Sequence, residues 1–318
     1  MYKTLFTLTL IATSVAAYGQ QQSANADTTI SNTDIERIVV TGDFRQTTLD
    51  QLSASATILN QERLSSRQPT HIDSVLNSIP NVNFAAGASR GRFVQIRGIG
   101  ERSQFAEPIN PSVSFIVDEF DFSGLAAAGL IFDTKQLEVY RGPQATLYGT
   151  GALAGAVKLS SNDVGSDAPD YVEARVGNKD TYRIEGATGN DIGGDWGYRV
   201  ALVHNSSDGF VENTFLGRSD TNNIDETALR FAVEGHVDER TTLALTYRWY
   251  DIDNGYDAFS LDNDNRTLSD EPGFDEHQTH AVSARSTTET AAGDLILIAT
   301  HASHNIAYGY DEDWTFTG

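Results

Sequence analysis

The second half of the chain alternates between apolar residues and polar or small residues with a period of two. The clearest run covers residues 196–203, and the pattern returns at 229–234 and 243–249. In the first run, one face carries Trp196, Tyr198, Val200 and Leu202, and the other carries Gly197, Arg199, Ala201 and Val203. A strand between lipid and a wet lumen has one apolar face and one polar or small face. A soluble sandwich alternates as well, so the connections must decide between the two.

The connections between these runs alternate in length. Short turns are predicted near 192–194 and 237–240, and long loops near 208–223 and 254–277. Outer-membrane barrels have short periplasmic turns and long external loops. Trp249 and Tyr250 end a strand before a long loop, which is where an outer girdle of aromatic residues is expected. The pattern of residues 170–318 therefore predicts about seven strands of an outer-membrane β-barrel, the last of them poorly alternating.

The helical and strand patterns within residues 44–163 predict one mixed α/β domain. Four apolar residues fall at i, i+3, i+4 and i+7 and so share one helical face: Ile72, Val75, Leu76 and Ile79. Thr70 and Asp73 are spaced as a capping box, and Pro80 is expected to end this helix. Alternating runs predict strands at 93–98, 113–118 and 137–140.

The first residues have the pattern of an export signal. Lys3 gives a positive start, residues 5–17 are apolar apart from Thr and Ser, and residues 17–19 form a small-x-small cleavage site. The stretch is too short for a membrane-spanning helix, which needs about 20 apolar residues, and a buried N-terminal helix is the alternative. Residues 1–19 are expected to be a signal peptide, and the polar residues 20–33 a disordered leader.

The run 137–149 leads a short strand into an Arg-Gly-Pro corner at residues 141–143, and Gly151 and Gly155 follow. Glycine permits positive φ and close approach of one backbone to another. This run resembles the end of the plug domain of TonB-dependent outer-membrane receptors. Segments 79–82, 96–98 and 117–118 resemble the same domain, in the same order. The resemblance implies an α+β plug domain over residues 44–163, followed by an antiparallel transmembrane β-barrel over residues 170–318.

The barrel of this family has 22 strands, and about seven strands cannot close. An open sheet edge in hydrocarbon leaves backbone groups unsatisfied, at several kcal/mol for each group. The sequence is therefore interpreted as a fragment of a longer protein or as the product of a truncated gene.

Residues 34–42 form a short β-prone segment within the flexible leader 20–43. The segment resembles the TonB box, and Ile38, Val39, Val40 and Thr41 are its predicted partner-binding residues. An exposed extended segment of this kind binds by adding a strand to the edge of a partner's sheet. The resemblance implies that the partner is TonB, of the inner-membrane energy-transducing complex. The alternative is the first strand of the following domain.

Arg97 and Arg141 each lie beside a glycine at the end of a predicted strand. The resemblance implies that such plug arginines pair with acidic residues on the inner wall of the barrel. A bidentate pair between arginine and carboxylate holds two surfaces together with defined geometry. An ordinary salt bridge within the plug is the alternative for each arginine.

The composition limits the chemistry that the chain supports. The net charge of -22 argues against a nucleic-acid partner, and there is no cysteine for a disulfide or a thiolate metal site. The acidic segment 251–276 offers oxygen ligands at the density of a calcium loop without a complete EF-hand pattern, and a solvated external loop is the alternative. His277 and His280, like His301 and His304, are spaced to share a helical face but point to opposite faces of a strand, so no metal site is predicted.

Two catalytic look-alikes are rejected. Residues 87–91 match the nucleophile elbow around Ser89, but a strand-like run follows where that motif requires a helix. Residues 149–155 lack the spacing of a dinucleotide loop, because the third glycine comes one residue late. The chain is therefore expected not to be an enzyme, and no catalytic residue or cofactor is predicted.

The resemblance implies a receptor in the outer membrane of a Gram-negative bacterium, in contact with lipid, that takes up a scarce small molecule actively. A ferric siderophore is the first expectation for the cargo. Cobalamin, an oligosaccharide or another nutrient is the alternative, as is a truncated product that does not transport.

Overall fold

A computed structural model describes residues 39–40, 47–48, 52, 54–102 and 111–317. All of them belong to one compact unit, Arg37–Gly318. The predicted signal peptide, most of the predicted leader, and residues Ile38 and Thr41 of the predicted TonB box lie outside the described residues. Among the described residues, no helix has the length and hydropathy needed to cross a membrane.

The first part of the structure is an α+β region that we call the plug region, after the family resemblance. A short antiparallel pair of strands, β1 (Val39–Val40) and β2 (Thr47–Thr48), precedes it. Its strands are β3 (Ser55–Asn60), β4 (Val82–Ala86), β5 (Gly91–Ile96), β6 (Val113–Val117), β7 (Phe120–Asp121), β8 (Thr134–Arg141) and β9 (Gly155–Ser161). Its helices are α1 (Gln61–Arg67), α2 (Asp73–Leu76) and α3 (Ala145–Tyr148), with a 3₁₀ turn at Ala126–Gly129.

The plug region is organised by a five-stranded sheet in the order β3-β8-β9-β6-β7, beside a separate β4-β5 hairpin. One face of the sheet is apolar and packs into the main core, with Leu137, Val139 and Val157 fully buried. The glycines after the Arg-Gly-Pro corner serve close packing, as the sequence indicated. A Cβ on Gly155 would lie 2.1 Å from the carbonyl oxygen of Tyr140, and its φ is +157°.

The predicted helical face is confirmed, but the predicted cap is wrong. Ile72, Val75, Leu76 and Ile79 are all buried, whereas the helix itself is the single turn Asp73–Leu76, without a side-chain cap. Thr70 does not cap the helix because its segment forms a bridge with residues 129–131. Its carbonyl accepts the N–H of Ile131 at 3.0 Å, and the N–H of Ile72 donates to the carbonyl of Gly129 at 2.9 Å. This bridge fixes the entry to the helix instead.

The second part is a seven-stranded antiparallel sheet, called the wall sheet here, in the order β10-β11-β12-β14-β15-β17-β18. The strands after residue 170 are β10 (Tyr171–Val176), β11 (Tyr182–Gly193), β12 (Trp196–Ser207), β13 (Glu212–Asn213), β14 (Ile224–Asp238), β15 (Thr241–Gly255), β16 (Arg266–Thr267), β17 (Phe274–Thr290) and β18 (Gly293–Gly309). The short turns fall where they were predicted, as does the long loop 208–223. The second long loop is 256–273, shorter than predicted, because β15 and β17 pair as far as Gly255 and Phe274.

The two faces of the wall sheet differ as the alternation predicts. Large apolar side chains stay exposed on the outer face, among them Leu202, Phe231, Leu245 and Val282. The polar or small face packs against the plug region. Tyr250 belongs to this inner face: it is fully buried, and its ring meets that of Phe122 edge-on at 5.9 Å. The predicted outward position of Tyr250 is therefore wrong, because neighbouring residues of a strand face opposite sides and Trp249 takes the outer one.

Candidate functional site

The candidate site is the interface between the plug region and the inner face of the wall sheet. Loop 87–91, which enters β5, supplies the first contact. The guanidinium of Arg90 donates two hydrogen bonds to the carboxylate of Glu226 on β14, Nε to Oε1 and Nη2 to Oε2, both at 2.6 Å. Glu226 is almost completely buried. It also accepts from Asn205 Nδ2 at 2.9 Å and from Asn254 Nδ2 at 3.1 Å, so both oxygens are satisfied.

Ser89 in the same loop is bonded to the next part of the wall. Its backbone N–H and its hydroxyl donate to Asp275 Oδ2 on β17, at 2.9 and 2.6 Å. Asn254 Nδ2 donates to the Ser89 hydroxyl at 2.9 Å, and His277 Nε2 lies 2.7 Å from Asp275 Oδ1. Ser89 therefore contacts a carboxylate directly rather than a histidine, and the strand β5 follows it. Its geometry is that of a docking contact and not of an activated nucleophile.

A second contact joins Asp133, between the 3₁₀ turn and β8, to arginines of the wall. Arg199 on β12 donates through Nε and Nη2 to the Asp133 carboxylate at 2.6–3.0 Å. Both side chains are fully buried. Arg230 on β14 adds a bond of 3.3 Å to Asp133 Oδ2, and Asn162 Nδ2 donates to Oδ1 at 2.9 Å. The buried carboxylate thus has a complete set of donors.

The third contact is made by the turn between β6 and β7. Asp118, at a φ of +53°, accepts a bond of 2.6 Å from Arg248 Nη2 on β15 and lies 3.8 Å from Arg230 Nε. The N–H of Ser161 donates to Asp118 Oδ1 at 2.8 Å. The adjacent Glu119 lies 3.6 Å from Arg285 Nη1 on β17. One tight turn therefore contacts three strands of the wall.

The two carboxylates of this turn differ electrostatically. Burial alone would raise the pKa of Asp118, but Arg248 and Arg230, together with the N–H of Ser161, hold it well below its ordinary value. Burial and the neighbouring charge of Asp118 raise the pKa of Glu119, against the opposing effect of Arg285 and Lys158. Asp118 is thus held as the anion that the wall arginines bind, whereas ionised Glu119 is disfavoured where it lies.

Asp73, beside loop 87–91, shows the same balance of effects as Asp118. Burial raises the pKa of Asp73, but His71, Arg90 and the N–H of Gly91 outweigh it, and the pKa falls below its ordinary value. Asp73 Oδ2 lies 3.0 Å from His71 Nδ1. The Arg90 guanidinium is therefore flanked by carboxylates of both the plug region and the wall.

The contacts have opposite polarity at different places on the interface. In loop 87–91 the plug region supplies the cation and the wall the anion, whereas at Asp118 and Asp133 the plug region supplies the anions. A shifted or inverted docking would bring like charges together in a buried interface, which is strongly unfavourable. The arrangement therefore defines one orientation of the plug region against the wall sheet.

The structure places the residues predicted from sequence as follows. Val39 and Val40 pair with Thr47 and Thr48 as a short ladder. Arg141 Nη1 donates to the carbonyl of Pro80 at 3.2 Å, a contact within the plug region. Arg97 is exposed at a φ of +54°. Within the described residues, neither arginine forms a salt bridge to the wall sheet, and their contact with a barrel wall stays a prediction.

The charged residues that join the plug region to the wall sheet were not predicted from the sequence. Arg199, Arg230 and Arg248 all lie on the polar or small face of alternating strands, and a charge on an inward face requires a buried partner. That pattern was the available signal. The acidic partners Asp118 and Asp133 lie at positive φ in turns, where aspartate is also common for conformational reasons. The sequence therefore did not distinguish a charge-pairing role from a conformational one.

The histidine pairs separate as strand geometry requires. His277 is buried on the inner face and His280 exposed on the outer face, where His280 Nδ1 lies 2.9 Å from the Tyr247 hydroxyl. The described residues contain no group of three or more His, Asp or Glu side chains placed to hold a metal ion.

Comparison with known proteins agrees with this architecture. Residues 48–156 match the TonB-dependent receptor plug domain family. The pesticin receptor of Yersinia pestis is 27% identical over 200 residues, which cover 62% of this chain and 29% of that protein. The vitamin B12 transporter BtuB of Photobacterium profundum is 23% identical over 223 residues, which cover 69% of this chain and 36% of that protein. The chain thus spans about a third of the length of these curated relatives.

Solved structures show the same fold. The ferric yersiniabactin uptake receptor FyuA of Yersinia pestis superposes with a TM-score of 0.72 at 20% identity, covering 81% of this chain and 42% of that one. The alcaligin outer-membrane receptor FauA of Bordetella pertussis gives a TM-score of 0.62 at 12% identity, covering 83% and 41%.

The fold and the interface define a plug packed against part of the wall of an outer-membrane β-barrel. Residues 48–156 match the model of the TonB-dependent receptor plug domain, and the chain is similar to the N-terminal part of such receptors. The predicted resemblance, fold class and outer-membrane location are confirmed. The relatives are receptors and transporters rather than enzymes.

Proposed function

We propose that this chain is the N-terminal part of a receptor that takes up a scarce ligand across the outer membrane, powered by TonB. The observation that carries the proposal is the plug–wall interface, which combines the family's plug with buried charge pairs that fix it against a lipid-facing sheet. These buried charge pairs hold the plug region against the wall sheet in the closed state. Opening would break several charge-assisted hydrogen bonds at once, so it requires an energy input.

The topology suggests where that energy enters. Residues 38–41, the proposed TonB box, precede β3. Among the described strands, β3 lies at the edge of the plug sheet and pairs with β8 alone. Strand addition to TonB at residues 38–41 would direct a pull onto this edge first. The turn at Asp118 and loop 87–91 are held by the wall and would resist it. Arg97 and Arg141 are proposed as further contacts to a barrel wall.

A ferric siderophore is the proposed cargo. The support is that several structurally similar proteins are siderophore receptors, including that for ferric yersiniabactin and PiuA of Acinetobacter baumannii. Cobalamin is the second candidate, favoured by the similarity to vitamin B12 transporters. The acidic balance of the chain does not favour an anionic ferric complex, so the cargo must be decided by uptake.

The test is uptake by native cells that carry the gene with residues 35–41 deleted. Radiolabelled ferric siderophores and cobalamin are supplied separately at limiting concentration. The proposal expects uptake of one ligand to fall to the level of a strain lacking TonB, with normal amounts of receptor in the outer membrane. Deleting residues 21–27 of the leader is the matched control and should leave uptake unchanged. Normal uptake of every ligand by the 35–41 deletion would contradict the proposal.

A further inference from the structure

The connections on the long-loop side of the wall sheet fold together into one structure, which we call the outer lobe: residues 208–223, 256–273 and 310–317. The strands β13 and β16 pair in parallel within it. Asn213 is fully buried, and its Nδ2 donates to Asp257 Oδ2 at 2.9 Å and to the Ser269 carbonyl at 2.8 Å. Thr267 Oγ1 donates to the same carboxylate oxygen at 2.8 Å. The lobe therefore has its own polar core, in which hydrogen bonds join its loops.

Aromatic rings join the loops of the lobe. Phe215 stacks on Phe316 with ring centroids 5.0 Å apart, and Phe259 stacks on Trp314 at the same distance. Phe210 differs from these rings. It is 67% exposed, against 49% for Phe215, and it has no ring contact within the described part of the chain. An exposed phenyl ring of this kind leaves apolar surface in water that a ligand can cover.

Phe210 forms one side of an open cavity of 530 Å³, lined by Lys179, Phe210, Glu212, Asp264, Asn265 and Arg266. This volume lies within the range of small-molecule sites, about 300–1,000 Å³. The charges of the lining cancel, with two cations and two carboxylates. Arg266 Nε and Glu212 Oε2 are 4.0 Å apart, and both side chains are exposed. The cavity thus presents hydrogen-bonding groups beside an apolar ring, and its lining residues carry no net charge.

We propose that this cavity binds a neutral saccharide. A sugar ring has one C–H-rich face that covers an aromatic ring, and hydroxyl groups around its edge that both donate and accept hydrogen bonds. The planar carboxylate, amide and guanidinium groups of Glu212, Asn265 and Arg266 offer both acceptors and donors for such an edge. The two cations and two carboxylates of the lining balance and so favour neither an anion nor a cation. An uncharged polyhydroxyl ligand is therefore the proposed occupant. The site is separate from the plug and does not depend on the proposed uptake.

The saccharide has two sources, the polysaccharide of the outer leaflet and free sugars. The test uses the detergent-purified protein and two sets of probes: the uncharged fraction of the polysaccharide released from the lipopolysaccharide of the native cells, and a panel of neutral mono- and oligosaccharides on beads. Retention on the first set alone would assign the cavity to the cell's own surface. Retention on the second would assign it to free sugars. Either outcome supports a saccharide site, and no retention on any probe overturns it.

The matched variants are Phe210→Ala and Phe215→Ala. Both remove an exposed phenyl ring of the outer lobe, but only Phe210 lines the cavity. The proposal expects Phe210→Ala to weaken saccharide binding at least tenfold and Phe215→Ala to change it less than twofold. Trypsin resistance of the lobe shows that each variant is folded. Equal losses in the two folded variants would overturn the proposal, as would unchanged binding in Phe210→Ala.

Discussion

Arg90 and Glu226 lie 136 positions apart in the sequence and meet through two hydrogen bonds of 2.6 Å each. Both oxygens of the carboxylate are used by the guanidinium, and two asparagines of the wall complete their hydrogen bonding. This bidentate geometry fixes direction as well as distance. The pair therefore anchors loop 87–91 to the wall sheet at a defined position.

Glu226→Ala is expected to loosen the plug against the wall. It leaves the Arg90 guanidinium mostly buried without its main partner, and breaking a buried pair in this way costs about 3–5 kcal/mol. The measurement is the rate at which proteinase K cleaves within residues 87–91 in outer membranes, which should rise by at least a factor of ten. The charge reversal Arg90→Glu with Glu226→Arg should restore part of the protection. Equal cleavage of wild type and Glu226→Ala would show that the pair does not hold the loop.

Gly155→Ala is expected to prevent correct folding of the plug. The added Cβ would lie 2.1 Å from the Tyr140 carbonyl oxygen, so β8 and β9 could not keep their pairing. Gly142→Ala is the matched control, since its φ is +131° but nothing lies within 4 Å of the added atom. In Gly142→Ala the stability of the plug should fall only by the cost of the strained backbone, about 1–3 kcal/mol. The yield of protease-resistant protein in outer membranes measures both variants, and equal yields would contradict the close-approach argument.

The sequence predicted the wall strands well because their alternation has a strong period and no competing signal. Arg199, Ala201 and Val203 are buried on one face, and Leu202 is exposed on the other. The same period, applied residue by residue, would have placed Tyr250 inside. Treating Trp249 and Tyr250 as one aromatic pair overrode that rule, and the error follows directly from it.

The site itself was less accessible to prediction. Charge pairs such as Arg199 with Asp133 join residues 66 positions apart, and which acid meets which arginine depends on how the plug sits against the wall. Local sequence does not contain that information. The capping error at Thr70 has a similar cause, because its segment is bridged to residues 129–131 by backbone bonds. Long-range pairing outweighed the local motif in both cases.

Phe231→Lys is expected to impair assembly in the membrane. Phe231 is the central residue of β14 (Ile224–Asp238) and is 42% exposed on the outer face. A lysine at the midplane of a lipid-facing strand costs about 2–4 kcal/mol, and near the interface about 0–1 kcal/mol. Thr227→Lys, on the same face and nearer the strand end, is the control. The amount of folded protein in the outer membrane should fall for Phe231→Lys alone, and equal amounts for both variants would argue against a lipid-facing sheet.

Glu119→Gln and Asp118→Asn are expected to shift stability in opposite directions at pH 7, although the two residues are neighbours in one turn. The folded structure lowers the pKa of Asp118, so its contribution is present above the unfolded value of 3.8 and is lost as the pH falls through the folded value. The pKa of Glu119 is raised. Its stabilising form is therefore the protonated one, fully present below the ordinary value of 4.5 and lost as the pH rises through the folded value.

At pH 7, Asp118→Asn should lower the melting temperature, because Arg248 and Arg230 lose the anion that they bind. Glu119→Gln should raise the melting temperature, since a neutral amide replaces a carboxylate that burial and Asp118 disfavour, and Arg285 is exposed enough to be solvated alone. Thermal denaturation of the detergent-solubilised protein at pH 7 and pH 4 separates the two effects. The gain from Glu119→Gln should shrink towards pH 4, where the wild-type carboxyl takes up its proton. A loss of stability in Glu119→Gln at pH 7 would instead mean that Glu119 and Arg285 form a net stabilising pair across the interface.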